Sequence, residues 1–156
     1  MTLRIMELLK SSYHRPIPYF VWDIYNLLLD RRPDSGGYLN FSRLMHDGKL
    51  SKQAFICEVL KSDEFRQKYL VKSTNNMKQG SCSAMIFALL QLSGEHYCRE
   101  LYRQILLREP SAEEVANHLN FLKSGTTRLA MLTIFVGSEE ARRLLDQARF
   151  SYDERL

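Results

Sequence analysis

Two arginines, Arg31 and Arg108, are suited by type and spacing to bind an anionic group, since each lies just before a predicted helix corner, 77 residues apart. A guanidinium presents N–H donors in a fixed fork and can hold a carboxylate or phosphate through paired hydrogen bonds. The same fork can instead hold the corner together, by bonding helix-end carbonyls or a carboxylate such as Glu64 or Glu140. Because the arginines recur at equivalent positions, we favour the structural interpretation, with contact to a ligand or partner as the alternative.

Cysteine and histidine side chains are the other candidates for chemistry. Cys82, His96 and Cys98 are separated by thirteen residues and then by one, a spacing that matches no common zinc module. The 4 histidines fall in different predicted elements, and no nucleophile elbow, phosphate-binding glycine loop or paired-carboxylate helix motif accompanies them. We therefore expect no metal, no cofactor and no catalytic site, so the protein is predicted not to be an enzyme.

Aromatic side chains outside the predicted core offer a possible binding surface. Trp22 lies beside Asp23 and off the apolar face of its helix. Tryptophan and tyrosine anchor protein interfaces, often with arginine nearby, and they also stack on sugar rings. We therefore predict a partner or glycan surface at Trp22, with Arg31, Arg32 and Arg108 as possible contributors. Packing of Trp22 against the N-terminal helix explains the same sequence equally well.

These residues are positioned by a helical unit that occurs twice. The sequence from Tyr25 to Gly48 recurs from Tyr102 to Gly125, and each copy predicts a helix, a corner and a second helix. Each copy closes with a glycine, which suits the left-handed position after a helix end. Apolar residues of the first helix form one stripe in each copy: Val21, Ile24, Tyr25 and Leu28, then Cys98, Leu101, Tyr102 and Ile105.

Proline and a capping residue define the corner between the two helices. Pro33 and Pro110 end the first helix, because proline lacks the N–H that a helix interior needs. Asp34 and Ser111 follow and can accept hydrogen bonds from the free N–H groups of the next helix, with Glu114 completing a capping box. The residues that we assign to the structural motif are Tyr25, Pro33, Asp34, Gly48, Tyr102, Pro110, Ser111 and Gly125.

The rest of the chain extends this unit. Residues 1–72 form the first predicted repeat, residues 81–148 the second, and the polar stretch 73–80 the link between them. An apolar helix precedes each copy, at residues 2–11 and 81–92, and we expect these to be counterparts, followed by a loop four residues shorter in the second copy. No segment alternates with the period of a strand, so the predicted fold class is all-α, with about nine short helices around a shared core in one domain, residues 1–156.

Composition excludes several classes of protein. Hydrophobic residues make up 45% and charged residues 26% of the 156, which is typical of a globular chain. The net charge of +4 falls wholly within residues 1–72 and is spread thinly, so nucleic-acid binding is not expected. The 3 cysteines include no close pair, and the sequence shows neither a secretory signal nor an apolar stretch long enough for membrane insertion. We therefore expect a cytoplasmic protein.

The repeated pattern resembles a known bacterial family, the domain of unknown function catalogued as four-two-one-four, which is itself similar to the linker domain of phycobilisomes. The matching residues of the first copy are Tyr25, Leu28, Leu29, Arg31, Pro33, Asp34, Gly37, Phe41, Gly48, Phe55, Ser62, Glu64 and Phe65. Those of the second copy are Tyr102, Ile105, Leu106, Arg108, Pro110, Ser111, Gly125, Ser138 and Glu140. The usual glycine before the motif arginine is Asp30 in one copy and Leu107 in the other, and the usual tryptophan of the third helix is Phe41 and His118.

The resemblance implies a role without catalysis, because such domains are attached to secreted repeat proteins, surface-layer proteins and polysaccharide-synthesis glycosyltransferases. We therefore expect a helical interaction or scaffold module, in a cell-envelope polysaccharide or surface-protein system. Its partner would be another protein or a second copy of the chain. The alternative is a carbohydrate-binding module that uses an aromatic and arginine surface.

Overall fold

A computed structural model of the chain describes residues 3–70 and 81–153, and within these ranges the backbone is helical and contains no strand. It forms ten α-helices and one π-helical turn, against about nine helices expected from the sequence. The predicted link, residues 73–80, lies outside the described residues. The helices are α1 (Ile5–Tyr13), α2 (Ile17–Leu29), α3 (Ser35–His46), α4 (Lys52–Lys61), α5 (Asp63–Leu70), α6 (Cys82–Gln91), α7 (Gly94–Leu101), the π turn (Tyr102–Leu106), α8 (Ala112–Lys123), α9 (Arg128–Val136) and α10 (Glu139–Asp153).

Side chains at the helix starts satisfy backbone N–H groups that have no partner within the helix. The Asp34 carboxylate accepts from the N–H of Gly37 at the start of α3. At the start of α8, the Ser111 hydroxyl accepts from the N–H of Glu114, whose carboxylate accepts from the N–H of Ser111. Such caps stabilise a helix by about 1 kcal/mol each, so the boundaries of α3 and α8 are set locally.

The second helix begins earlier than the sequence predicts. Because proline restricts itself and the residue before it, Pro16 and Pro18 favour a start at about Tyr19. The helix α2 instead begins at Ile17, with Pro18 inside its first turn. Proline is tolerated there because the first N–H groups of a helix have no acceptor within it.

The two copies pack as an internal two-fold pair. In order along the chain, α1 to α5 correspond to α6, α7 with the π turn, α8, α9 and α10. One contact between the copies is matched by its counterpart: α1 packs on the π turn as α6 packs on α2. Among the described residues, the extensive contact of α1 with α10 has no counterpart of similar size between α6 and α5. Two further contacts join an element to its own counterpart, α1 to α6 and α4 to α9. Apart from the contact of α1 with α10, these contacts follow the reciprocal pattern that a two-fold axis produces between subunits, here within a single chain.

The helices that precede the copies, α1 and α6, follow the same 77-residue offset as the corners. Ile5 and Leu9 are buried in α1 where Cys82 and Ile86 are buried in α6. The expectation of a loop four residues shorter in the second copy is therefore wrong. The repeat runs without insertion or deletion as far as Gly125.

One hydrophobic core contains residues of both copies. Tyr25 and Tyr102 are only 6% and 4% exposed, and every residue of the two predicted stripes is buried. All of these side chains except Cys98 join one cluster with Phe20 and Phe55 of the first copy and Tyr97 of the second. Burying each large apolar side chain stabilises the fold by roughly 1.5–3 kcal/mol. In the described part of the chain, no helix is long and apolar enough to cross a membrane.

Candidate functional site

Both corners pass through a left-handed residue. Asp30, after α2, has a φ angle of 55°, and Leu107, after the π turn, has a φ angle of 56°. A side chain with a Cβ is strained in this conformation, whereas glycine is not. This geometry explains why the family that the chain resembles usually has glycine at this position.

At the first corner, Arg31 holds α5 against the end of α2. Its Nε and Nη2 atoms donate to the two carboxylate oxygens of Glu64 at 2.7 and 2.8 Å, and Nη1 donates to the Arg32 carbonyl at 3.0 Å. The guanidinium carbon lies 5.0 Å from the centre of the Tyr25 ring. The hydrogen bond from Arg31 is the main cause of a lowered pKa of Glu64.

At the second corner, Arg108 bonds two carboxylates instead of one. It donates to Glu140 at 2.7 Å through Nε and to Glu114 at 2.8 Å through Nη2. Its guanidinium carbon lies 4.9 Å from the centre of the Tyr102 ring. Hydrogen bonds from Arg108, with a further one from Ser111, lower the pKa of Glu114 from 4.5 to about 2.

The first corner lacks a second hydrogen-bonded carboxylate because Gly37 occupies the position of Glu114. Asp34 is the other carboxylate near Arg31, and its Oδ1 atom lies 3.9 Å from Nη1, too far for a hydrogen bond. A Cβ on Gly37 would lie 2.8 Å from the Tyr25 hydroxyl and 2.9 Å from an Asp34 carboxylate oxygen. From the sequence alone, Gly36 and Gly37 would be expected only to loosen the first turn of α3. The structure gives a different reason, since Gly37 makes room for the hydroxyl of the buried tyrosine.

The corner arginines therefore have structural contacts in both copies, which favours the structural interpretation over contact with a ligand or partner. Arg32 is exposed and its carbonyl accepts the bond from Arg31. Among the described residues, no hydrogen bond or cation–π contact joins Trp22 to Arg31, Arg32 or Arg108. The predicted surface of one tryptophan and three arginines is not brought together.

The remaining motif residues lie at the corners and helix ends of their own copies. Pro33 is buried and Pro110 is half-buried. Gly48 and Gly125, which follow α3 and α8, have φ angles of 74° and 109°. Both glycines therefore take the left-handed conformation that ends a helix.

A different surface surrounds Trp22. Tyr19 and Trp22 are 56% and 41% exposed and lie one turn apart on the outer face of α2. Asp23 and Asn26 continue this face, because residues at i, i+3, i+4 and i+7 share one side of a helix. Trp22 is thus at the surface, which does not support its burial against the N-terminal helix. We call these four residues, with Arg15, the α2 ridge.

Arg15 fixes the start of the α2 ridge. Its Nη1 atom donates to both carboxylate oxygens of Asp23, at 2.9 and 2.7 Å. Its guanidinium carbon lies 5.0 Å from the centre of the Tyr19 ring. At the far end, the Asn26 amide donates to the Trp22 carbonyl at 2.8 Å. The polar groups are therefore oriented by contacts within the ridge itself.

The equivalent face of the second copy is ionic. His96, Arg99, Glu100 and Arg103 stand where the first copy has Tyr19, Trp22, Asp23 and Asn26. Arg103 donates to Glu100 at 2.8 Å and to Glu109 at 2.6 Å. Sequence reasoning found Trp22 but missed Arg15, Tyr19 and Asn26 as its neighbours, although the helical spacing opposite the buried stripe identifies two of them.

The cysteines lie in environments that suppress thiol chemistry. Burial raises the pKa of Cys82 to about 12, and it also raises the pKa values of Cys57 and Cys98. The thiolate, rather than the thiol, is the reactive and metal-binding form. Over residues 3–70 and 81–153, no three His, Cys, Asp or Glu side chains are grouped as they would be to hold a metal ion.

Comparison with protein-family models gives two matches to one family, described as "Domain of unknown function (DUF4214)". The matches cover residues 16–69 and 87–145, which are the two copies of the helical unit and together more than half of the chain. No curated protein and no solved structure matches the chain.

Proposed function

This chain belongs to the family described as Domain of unknown function (DUF4214), with two tandem copies, and we propose that it acts as a non-catalytic interaction and scaffold module. The proposed setting is a cytoplasmic one, in the service of a cell-envelope polysaccharide or surface-protein system. The proposed recognition surface is the α2 ridge, and the proposed partner is a protein.

The exposed pair Tyr19 and Trp22 is the observation that carries this proposal. Each buries a large area when covered by a partner, and such residues dominate the energy of protein interfaces. The counterpart positions His96 and Arg99 do not offer this pair, so the ridge is not needed to build the helix that carries it. A feature present in one copy and dispensable for the fold is a candidate for function.

Arg15 and Asp23 add specificity to the aromatic pair. Their ion pair is solvated at the edge of the ridge and would become shielded when a partner covers it. Exclusion of water strengthens the attraction between two well-aligned charges. It also makes binding weaker for any partner that leaves one of these charges buried without a hydrogen bond. The ridge therefore favours partners with polar groups that match this pair.

Affinity capture from the native host tests the proposal. The bait is the full chain, compared with the double variant Tyr19→Ala/Trp22→Ala and with the matched control His96→Ala/Arg99→Ala. Truncating two interface anchors should reduce a specific partner by about tenfold or more, while the control retains it. Thermal unfolding of all three chains checks that folding is preserved. Equal recovery of every captured protein by the ridge variant would contradict the proposal.

Carbohydrate binding by the same ridge is the second candidate function. Aromatic rings stack on the apolar faces of sugars, and Asp23 and Asn26 lie beside Trp22 as possible hydrogen-bonding groups for sugar hydroxyls. A glycan array probed with the wild-type chain and with Trp22→Ala separates the two candidates. Binding that Trp22→Ala abolishes favours the glycan, whereas a blank array leaves the protein partner.

A further inference from the structure

A surface groove runs between the two copies, away from the α2 ridge residues. It is lined by the end of α4, by α5, by the end of α6 and by the first turns of α9, and it has a volume of about 690 Å³. We call it the α4–α9 groove. It is partly open to solvent and therefore accessible to a ligand.

Apolar side chains form part of the groove. Leu90 of α6 and Leu129 and Ile134 of α9 contribute to its lining. Ile134 is 63% exposed, the largest exposed fraction among the large hydrophobic side chains of the described residues. After Gly125 the second copy is one residue shorter than the first, so the counterpart of Ile134 is Glu58, a residue suited to water. The second copy thus presents an apolar side chain at a position where the first copy does not.

Basic side chains line the same groove. Lys61, Arg66 and Arg128 line it, and none of the described lining residues is an aspartate or a glutamate. Arg66 has a carboxylate partner, Asp63, at 3.1 Å, and both of those side chains are exposed. Arg128 donates from Nε to the Leu92 carbonyl at 2.8 Å, so its positive charge is not matched by a carboxylate in that contact. The groove combines an apolar surface with a positive field.

We propose that the α4–α9 groove binds an acidic amphipathic helix of a partner protein. The apolar side of such a helix would cover Leu129 and Ile134, and its carboxylates would approach Lys61, Arg66 and Arg128. Amphipathic helices dock into apolar grooves through residues at i, i+3, i+4 and i+7, and complementary charge fixes their orientation. The exposed isoleucine favours this ligand over a purely polar anion such as an acidic polysaccharide.

Two other occupants fit the charge less well. The segment of the chain at residues 71–80 carries Lys72 and Lys78 and no carboxylate, so it has the same charge as the groove. A second copy of the chain carries the same net charge of +4, and like charges slow and weaken association. An acidic partner satisfies both the apolar and the charged part of the groove.

A designed peptide supplies the probe for this site. It is a fluorescein-labelled helix of about 16 residues, with leucine at i, i+3, i+4, i+7 and i+11 and glutamate on the flanks. Two control peptides carry lysine in place of glutamate, or serine in place of leucine. Fluorescence anisotropy with the full chain, at about 150 mM salt, measures binding while long-range attraction is screened.

We expect the acidic peptide to bind and both control peptides to bind at least about tenfold more weakly. Ile134→Asp and Lys61→Glu should each weaken the acidic peptide by about tenfold. Lys49→Glu makes the same charge change at an exposed residue outside the groove lining and should have little effect. The double variant Lys61→Glu/Arg66→Glu should reverse the preference, so that the lysine peptide binds more tightly than the glutamate peptide.

Several results would overturn the proposal. These are no binding of the acidic peptide, equal binding of the serine peptide, or an equal loss with Lys49→Glu, which would indicate general electrostatic attraction. Tighter binding of an acidic oligosaccharide with the same variant pattern would assign the groove to a polyanion instead. Tyr19→Ala/Trp22→Ala should bind the peptide normally, so this test can fail or succeed independently of the α2 ridge.

Discussion

In each copy an arginine lies over a tyrosine ring at the corner, at 5.0 Å in the first and 4.9 Å in the second, and bonds a glutamate at the start of the fifth helix of that copy. The outer faces of the helices before the corners have no such likeness. Tyr19 and Trp22 on α2 are replaced by His96 and Arg99 on α7. The corner contacts thus occur in both copies and belong to the fold. The exposed aromatic pair of α2 occurs in one copy only.

The interior also differs between the copies at the left-handed residue. Asp30 lies 2.5 Å from the Ser83 hydroxyl and 3.0 Å from the ammonium of Lys68. The counterparts of Asp30 and Ser83 are Leu107 and Met6, which are apolar. The same backbone conformation is therefore supported by a polar cluster in one copy and by apolar packing in the other. Identical geometry does not require identical chemistry.

The largest expected effect tests the equivalence of the two tyrosines. Tyr25→Ala and Tyr102→Ala should each lower the free energy of unfolding by about 3 kcal/mol or more, because each removes a buried ring from the shared core. Chemical denaturation of the two variants measures the losses. A loss below about 1 kcal/mol in either variant would show that the two stripes are not equivalent.

The two corner arginines should contribute unequally to the free energy of unfolding. Arg108→Ala should cost about 2 kcal/mol and Arg31→Ala about 1 kcal/mol, because Arg108 bonds two carboxylates and both arginines are partly solvated. The same denaturation assay measures both losses. A larger cost for Arg31 would contradict the assignment of Glu114 as a second partner of Arg108.

Glycine substitutions at the two left-handed residues test whether the polar cluster at Asp30 stabilises the first copy more than apolar packing at Leu107 stabilises the second. Leu107→Gly relieves backbone strain but loses half-buried packing, so its effect should lie within about 0.5 kcal/mol of zero. Asp30→Gly relieves the same strain but leaves Ser83 and Lys68 without their carboxylate, and it should cost about 1 kcal/mol. Equal effects at the two positions would indicate that the polar cluster does not stabilise the first copy.

The smallest expected effect is on the pH dependence of stability, through Glu114 at the second corner. The pKa of Glu114 is lowered to about 2 in the folded chain, so its contribution to stability is complete above its ordinary value of 4.5 and declines as the pH falls toward 2. Glu114→Gln should therefore be less stable than wild type at neutral pH and should lose less stability on acidification. Denaturation at a series of pH values measures this. If the free energy of unfolding depended on pH in the same way in wild type and in Glu114→Gln, this would contradict the lowered pKa of Glu114.

Much of each corner could be predicted from sequence because the signals there are local. Pro33 with Asp34, and Pro110 with Ser111, indicate a stop and a start within a few residues. The repetition of Tyr25 as Tyr102 then identifies the buried stripe. Helix ends and caps depend on backbone hydrogen bonds close to the residues concerned. Short sequence patterns can therefore predict them.

Other features could not be read in this way. The predicted alignment of α6 with α1 is wrong by four residues. An apolar helix such as Cys82–Gln91 matches the helical period of another apolar helix at more than one offset. The pairing of α4 with α9, which contributes to the α4–α9 groove, joins residues far apart in the chain. The role of Gly37 depends on where the Tyr25 hydroxyl lies in three dimensions. Long-range packing decides all three features, and no local pattern encodes it.

Site-specific photo-crosslinking in the native host tests the central claim most directly. A benzophenone amino acid would replace Trp22 in one chain and its counterpart Arg99 in another, and the products would be separated by mass. The proposed role of the α2 ridge predicts a discrete crosslinked partner from position 22 and none from position 99. The same products from both positions, or products from position 99 alone, would contradict it.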